Sequence, residues 1–213
     1  MKPLSTEKER RILQVARDVF LEKGKQGARM QEIAQRAGVN KAMLHYYFRS
    51  KEQLYAKVLE AEVTQFVRHL LDAVPEEGDF FQFLEVFVKS YIQKVAASPQ
   101  LVRFILWEVR DNVQVLGRVL QHIFQGEPVK NSPFFIRIQT AIAAGEIRPV
   151  EPLHLFLNVL SMCVYPFLMA PLLETVIPGL DVQASQFIHQ REQEILQLIE
   201  KGLRPENQRE TGE

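Results

Sequence analysis

Apolar residues recur three and four positions apart along nearly the whole chain, and no run alternates with the period of two that a half-buried strand needs. The pattern predicts an all-α protein. Ile12, Val15, Ala16, Val19 and Phe20 form one face of a first helix, opened by a Thr6–Glu9 capping box and closed at Gly24. A short helix near Met30–Ala37 buries Ile33 and Ala34, and Gly38 breaks it. A third helix runs from Asn40, as N-cap, to Phe48, with Leu44 and Phe48 turned inward. A second capping box, Ser50–Gln53, opens a longer helix that continues through Leu54, Val58, Leu59, Val63, Phe66, Val67 and Leu70 to about Val74. Beyond Pro75–Gly78, helices are predicted near 79–97, 98–112, 113–124, 133–144, 152–169 and 184–203, and the polar tail Arg204–Glu213 is expected to fray.

Two short helices joined by a glycine turn, behind a longer amphipathic helix, make a helix-turn-helix at about Arg29–Phe48. In such a unit the first helix of the pair crosses the DNA backbone and the second enters the major groove. With Leu44 and Phe48 inside, the second helix leaves Asn40, Lys41, Met43, His45, Tyr46 and Tyr47 largely outside. The formal net charge of the 213 residues is zero, which gives no hint of a polyanionic partner. Its distribution does. Residues 1–51 hold twelve Lys/Arg against five Asp/Glu, a net of +7, and the remainder carries −7. A solvated basic face would give the same imbalance, so charge alone does not decide.

The stretch MQEIAQRAGVNKAMLHYYFRSKEQLYAKVLE, residues 30–60, resembles the signature of the TetR family of transcriptional regulators. An "IA…AGV" helix and turn precede a short recognition helix ending in an aromatic-Phe pair, and a Ser-Lys pair starts the next helix. The likeness spans about Thr6–Leu71; the remainder matches only in length and helical texture. The resemblance implies that Lys41 and Ala42 approach base edges, that Tyr46 and Tyr47 bind phosphates, and that Lys51 is a phosphate-binding lysine. The start of helix four suits an anion independently, through its unbonded N–H groups and dipole. Two positions depart from the pattern. Ala42 stands where glycine is common, and Met30 where a hydroxyl residue usually caps the second helix.

The same resemblance divides the chain into a helix-turn-helix DNA-binding domain, 1–51, with the connecting helix running to about 74, and an all-helical ligand-binding and dimerisation domain, 52–213. It implies a repressor that binds a pseudo-palindromic operator in double-stranded DNA and is released by a small apolar or aromatic effector. It further implies that about 152–169 and 184–203 pair with a second copy in a four-helix bundle. Apolar rows suit that pairing: Leu153, Leu155, Phe156, Val159, Leu160 and Val164 on one helix; Phe187, Ile188, Ile195, Leu198 and Ile199 on the other. Tyr91, Phe104, Trp107, Phe135, Met162 and Tyr165 are candidate effector contacts, although aromatic and flexible apolar residues at helical spacing serve equally as core.

Other classes find little support. One cysteine, Cys163, gives neither an internal disulfide nor a zinc spacing. No nucleophile–base constellation, metal spacing or phosphate loop points to an enzyme, a metal or a cofactor. The start, MKPLSTEKERR, lacks a signal peptide's apolar run, from which a cytoplasmic location is expected. Pro152–Leu173 is 22 residues without formal charge, long enough to span a bilayer, yet it holds His154, Asn158, Ser161, Pro166 and Pro171. A buried or interfacial helix is expected there. A helix-turn-helix protein with an architectural role and no effector remains the alternative.

Overall fold

The computed structural model describes residues 3–75, 77–111, 113–124, 126 and 131–205, with the side chains of 3–6, 110 and 111 left aside. Among the described residues there are eleven helices and no strands. They are α1 Pro3–Gly27, α2 Met30–Ala37, α3 Lys41–Tyr47, α4 Lys51–Ala73, α5 Phe80–Ala96, α6 Pro99–Asp111, α7 Val113–Ile123, α8 Pro133–Ala143, α9 Pro152–Leu168, α10 Ala170–Val176 and α11 Ser185–Leu203. They form two compact units. The first comprises 1–65 and 100–123, the second 66–99 and 124–213.

The first unit is built on α1. Ile12, Ala16, Val19 and Phe20 are buried, as their spacing predicts, against a core that includes Ile33, Leu44, Leu54, Val58 and Leu59. Two boundaries differ from expectation. α1 begins at Pro3, placing Thr6 inside the helix rather than at its cap; the Thr6 side chain lies outside the described residues. Nor does α1 end at Gly24. The chain breaks there (φ 66°, ψ 175°) and adds another turn to Gly27, with the Ala28 N–H bonded to the Gly24 carbonyl at 3.2 Å. Glycine is required twice over. The positive φ penalises any side chain, and a Cβ would lie 3.1 Å from the Trp107 ring. Arg17 Nε donates to Glu62 at 2.7 Å, joining α1 to α4 through a carboxylate that is only 6% exposed.

The units follow a different line from the division at 51 and 52. α6 and α7 belong with the N-terminal helices, because Trp107 packs on Gly24 and Phe104 meets Tyr55 at 5.1 Å, while Tyr55 also meets Phe20 at 4.8 Å.

In the second unit α5 packs on α8, α9 and α11. Asp79 caps α5 by accepting from Gln82 N–H at 2.8 Å, and Glu146 accepts from Phe80 N–H at 2.9 Å. α9 continues through Pro166, which has no N–H to bond the Met162 carbonyl one turn earlier. Arg191 of α11 takes that carbonyl instead, donating from Nε at 3.2 Å and Nη2 at 2.9 Å. A bond lost within one helix is thus replaced by a tie between two. The far end of α11 is capped by Arg148, whose N–H donates to the Leu203 carbonyl at 2.9 Å and whose Nε donates to that of Gly202 at 2.6 Å. Cys163 is fully buried, and burial pushes its thiol up to about 12.

Among the described residues no single helix is long and apolar enough to cross a membrane. Pro152–Leu168 and Ala170–Val176 reach that length only as a pair bent by 63°. The bend makes α10 a separate helix that the expected 152–169 element did not include; Pro171 suits its first turn. The apolar rows also divide differently. Leu155, Val159, Ile195 and Ile199, assigned by spacing to a pairing face, are buried within the protomer, while Leu153, Leu157, Tyr165 and Leu198 are exposed.

Two predictions follow from these contacts. Arg191→Leu should lower the unfolding free energy by about 1–3 kcal/mol by stranding the Met162 carbonyl. The loss should shrink in a Pro166→Ala background, where residue 166 supplies the missing N–H; additive effects in a urea double-mutant cycle would disprove the exchange. Gly24→Ala should cost about 1–3 kcal/mol and shift the emission of Trp107, the only tryptophan. Unchanged melting and emission would show that the joint tolerates a side chain.

Candidate nucleic-acid interface

The reading head is set by a sharp turn. Gly38 adopts the left-handed conformation (φ 65°, ψ 34°), and its N–H closes α2 onto the Ala34 and Gln35 carbonyls. Its free side faces Arg11, whose Nη2 would lie 3.2 Å from a Cβ at this position. Asn40 then starts α3 by accepting from Met43 N–H at 2.7 Å. α2 has no such cap. Its N-cap position is Arg29, which makes no side-chain bond, so Met30, expected at the cap, is instead the first residue inside the helix.

α3 is divided cleanly between core and solvent. Leu44 is completely buried and Phe48, just after the helix, is 4% exposed. Asn40, Lys41, Ala42, His45 and Tyr46 are exposed, Tyr46 at 72%, whereas Met43 and Tyr47 are half-buried. The Tyr46 and Tyr47 rings meet edge to face at 5.5 Å, and Tyr47 also lies against Phe48 at 6.4 Å. Tyr47 is therefore partly a packing residue. His45 Nδ1 donates to the Arg49 carbonyl at 3.2 Å, which orients the ring and ties the end of α3 to the following turn.

Lys51 differs from a simple solvent-facing lysine. Its Nζ donates to the Ala28 carbonyl at 3.1 Å, linking the start of α4 to the segment between α1 and α2. The ammonium has three donors, so this bond occupies one of them. Ser50 caps α4 by accepting from Gln53 N–H at 3.2 Å. The adjacent Glu52 carboxyl is held below its ordinary range by local hydrogen bonds, first from its own backbone and then from Ser50.

Several basic residues of the N-terminal segment are already engaged. Arg17 pairs with Glu62, Lys23 with Glu32, and Arg36 with both Glu22 and Glu32. Hydrogen bonds from Lys23 hold the Glu32 carboxyl low. No ion pair is found among the described residues for Arg29, Lys41 or Arg49, nor for Lys8, Arg10, Arg11, Lys25 or Lys51, so the unneutralised charge includes α3 and its flanks without being confined to them. Arg29 and Arg49 were not singled out from the sequence. Their position at the two ends of the 29–48 segment, within a basic excess, was the available signal.

The six effector candidates are not brought together. Phe104 and Trp107 belong to the first unit, packed on Tyr55 and Gly24. Tyr165 is 53% exposed, and Met162 lines an open groove between α9 and α11. Tyr91 and Phe135 lie along a chain of aromatic rings inside the second unit. It runs from Phe66 to Tyr91 at 5.3 Å, from Tyr91 to Phe87 at 6.1 Å, and from Phe87 to Phe134 at 4.7 Å. Phe156 closes it, 5.1 Å from Phe134 and 5.2 Å from Phe135. Burial raises the Tyr91 phenol well above its ordinary range. Among the described residues no group of three or more His, Cys, Asp or Glu is placed to hold a metal.

Residues 12–58 match the family model for bacterial regulatory proteins of the tetR family. Over 198 residues the chain is 27% identical to the HTH-type transcriptional regulator RutR of Escherichia coli, spanning 93% of this chain and 91% of that one. A TetR transcriptional regulator from Chloroflexus aurantiacus has the same fold, with a TM-score of 0.75 at 19% identity over 95% of this chain and 99% of that one. The transcriptional regulator FadR from Bacillus subtilis, solved with stearoyl-CoA, gives a TM-score of 0.66 at 18% identity over 91% and 98%. With the helix-turn-helix matched in sequence and the helical remainder matched in fold, the chain belongs to the TetR family of transcriptional regulators.

Proposed function

We propose that this regulator is a homodimeric repressor whose two α3 helices occupy successive major grooves of a pseudo-palindromic operator, and that an apolar effector releases it. The observation that carries the DNA reading is the division of α3, where buried Leu44 and Phe48 leave Lys41, Ala42, His45 and Tyr46 outward. In this reading Lys41 and Ala42 meet base edges, the Ala42 methyl being able to contact a thymine methyl. Asn40, Met43 and His45 flank them. Tyr46, Tyr47 and Lys51 bind phosphates, with the Lys51 ammonium using donors left over from Ala28.

The dimer is proposed to form through the exposed faces of α9 and α11, with Leu153, Leu157, Tyr165 and Leu198 rather than Ile195 in contact. Two recognition helices must sit about 34–36 Å apart to read half-sites one DNA turn apart. The effector is proposed to enter the aromatic interior of the second unit around Phe87, Tyr91, Phe134, Phe135 and Phe156, which suits a hydrocarbon chain or a flat aromatic. The stearoyl-CoA bound by the B. subtilis FadR is one precedent of that chemistry. α4 gives the signal a path: it begins at Lys51, and its residues from Phe66 belong to the second unit. Phe66 meets Tyr91 edge to face, so a molecule that displaces the rings pulls on the same helix.

Two substitutions separate the kinds of DNA contact. Lys51→Ala should weaken binding to all sequences alike and reduce the magnitude of the salt slope by about one. Lys41→Ala should relax preference at particular base pairs, by about 1–3 kcal/mol if it bonds a guanine edge. Uniform weakening by Lys41→Ala across operator variants would make it a phosphate contact. The whole reading is tested by titrating operator DNA with and without long-chain acyl-CoA, free fatty acids and flat aromatics. A true inducer lowers operator affinity, and operator lowers inducer affinity by the same factor; a hundredfold effect corresponds to about 2.7 kcal/mol. A ligand whose affinity ignores saturating operator is not the inducer, and failure to prefer any palindrome over random DNA removes the operator reading itself.

A further inference from the structure

α10 is anomalous. Among its residues none is buried, and Leu172, Val176 and the adjoining Ile177 are 52%, 60% and 46% exposed. A seven-residue helix has little stability of its own and normally persists by packing an apolar face. α9, from which α10 is bent by 63°, also carries exposed apolar side chains, Leu153, Leu157 and Tyr165. At the opposite end of α9 lies an open groove of about 670 Å³, between the start of α9 and the end of α11. Leu155, Met162, Leu198 and Leu203 line it together with the polar Arg148 and His154.

We propose that α10 is an exchanged arm: in the dimer, the α10 of each protomer seats in the α9–α11 groove of the other. The proposal rests on the homodimer reading above and adds its geometry. A twofold interface uses the same patch on both copies, so each contact occurs twice. An axis crossing α9 near its middle sets the two α9 helices antiparallel, and the end of one, with its α10, then meets the start of the other, where the groove lies. A parallel pairing would set α10 against α10 and leave both grooves open to water.

Charge selects the same arrangement. Glu174 is the only charged residue of α10 and is exposed, with one carboxylate oxygen bound by the Val182 N–H at 3.1 Å. In the antiparallel pairing it meets a groove bearing Arg148 and His154; in the parallel one it would face its own copy. The groove's carboxylate, Glu151, is held at home by accepting the His154 N–H at 2.7 Å. A second copy therefore supplies what the groove lacks, an apolar helix with one negative charge.

The test co-expresses two full-length chains with different tags, one carrying His154→Cys and the other Val176→Cys, and treats the folded protein with a short bismaleimide. The native Cys163 is buried and does not compete. A covalent heterodimer in the mixture, with no covalent product from either variant alone, is the expected result. Val176→Glu should weaken the dimer at least tenfold in sedimentation while leaving circular dichroism unchanged. A dimer that cross-links Val176→Cys to itself, or that shows no heterodimer product, overturns the arm and leaves the dimer standing. A wild-type chain that is monomeric at every concentration overturns both.

Discussion

A recognition helix of seven residues cannot hold its own conformation in water, let alone its direction. The outward face of α3 depends on the burial of Leu44 and Phe48, one turn apart, in the core made by α1, α2 and α4. Gly38 aims the helix and the Asn40 carboxamide starts it, but neither contributes apolar burial. The exposed residues are therefore free to vary in chemistry, and the two anchors are not. Full burial of each large apolar side chain is worth about 1.5–3 kcal/mol, more than the cap or the turn supplies.

The same core explains why α6 belongs to the reading head. Tyr55 touches Phe20 and Phe104, and the Lys25 ammonium lies 5.2 Å above its ring. Gly24 receives Trp107, and four residues further on Ala28 receives Lys51. The joint in α1 thus has α6 on one side and the start of α4 on the other. A shift of Trp107 would be felt at Lys51 through Ala28.

Local features were legible in the sequence because they have local causes. The 3.6-residue period, the Ser50 and Asn40 caps, and the left-handed Gly38 each follow from a few neighbouring residues. What the sequence could not supply was partnership at long range. Phe104 and Trp107 carry the same apolar spacing whether they face a cavity or pack on Tyr55 and Gly24. Ile195 and Leu198 lie three residues apart on one helix, and only the position of α5 and α9 decides that the first is core and the second surface. Gly24 has the composition of a helix terminator, but the chain resumes a helical turn beyond it. α10 falls between the helices expected at 152–169 and 184–203, because the uncharged stretch runs on across the bend without a polar cap to mark a new helix.

The exchange between Pro166 and Arg191 has an evolutionary consequence. A proline in the middle of a helix is tolerated when another group takes the carbonyl it abandons, and here that group comes from a residue 25 positions away in sequence. Neither residue has its present value without the other: the arginine would lack its acceptor and the proline would strand one. Across the descendants of this sequence the two sites should drift as a linked pair, the proline lost first and the arginine free to change afterwards. Such covariation would mark the register of α9 against α11 as inherited, even in lineages whose DNA targets have diverged beyond comparison.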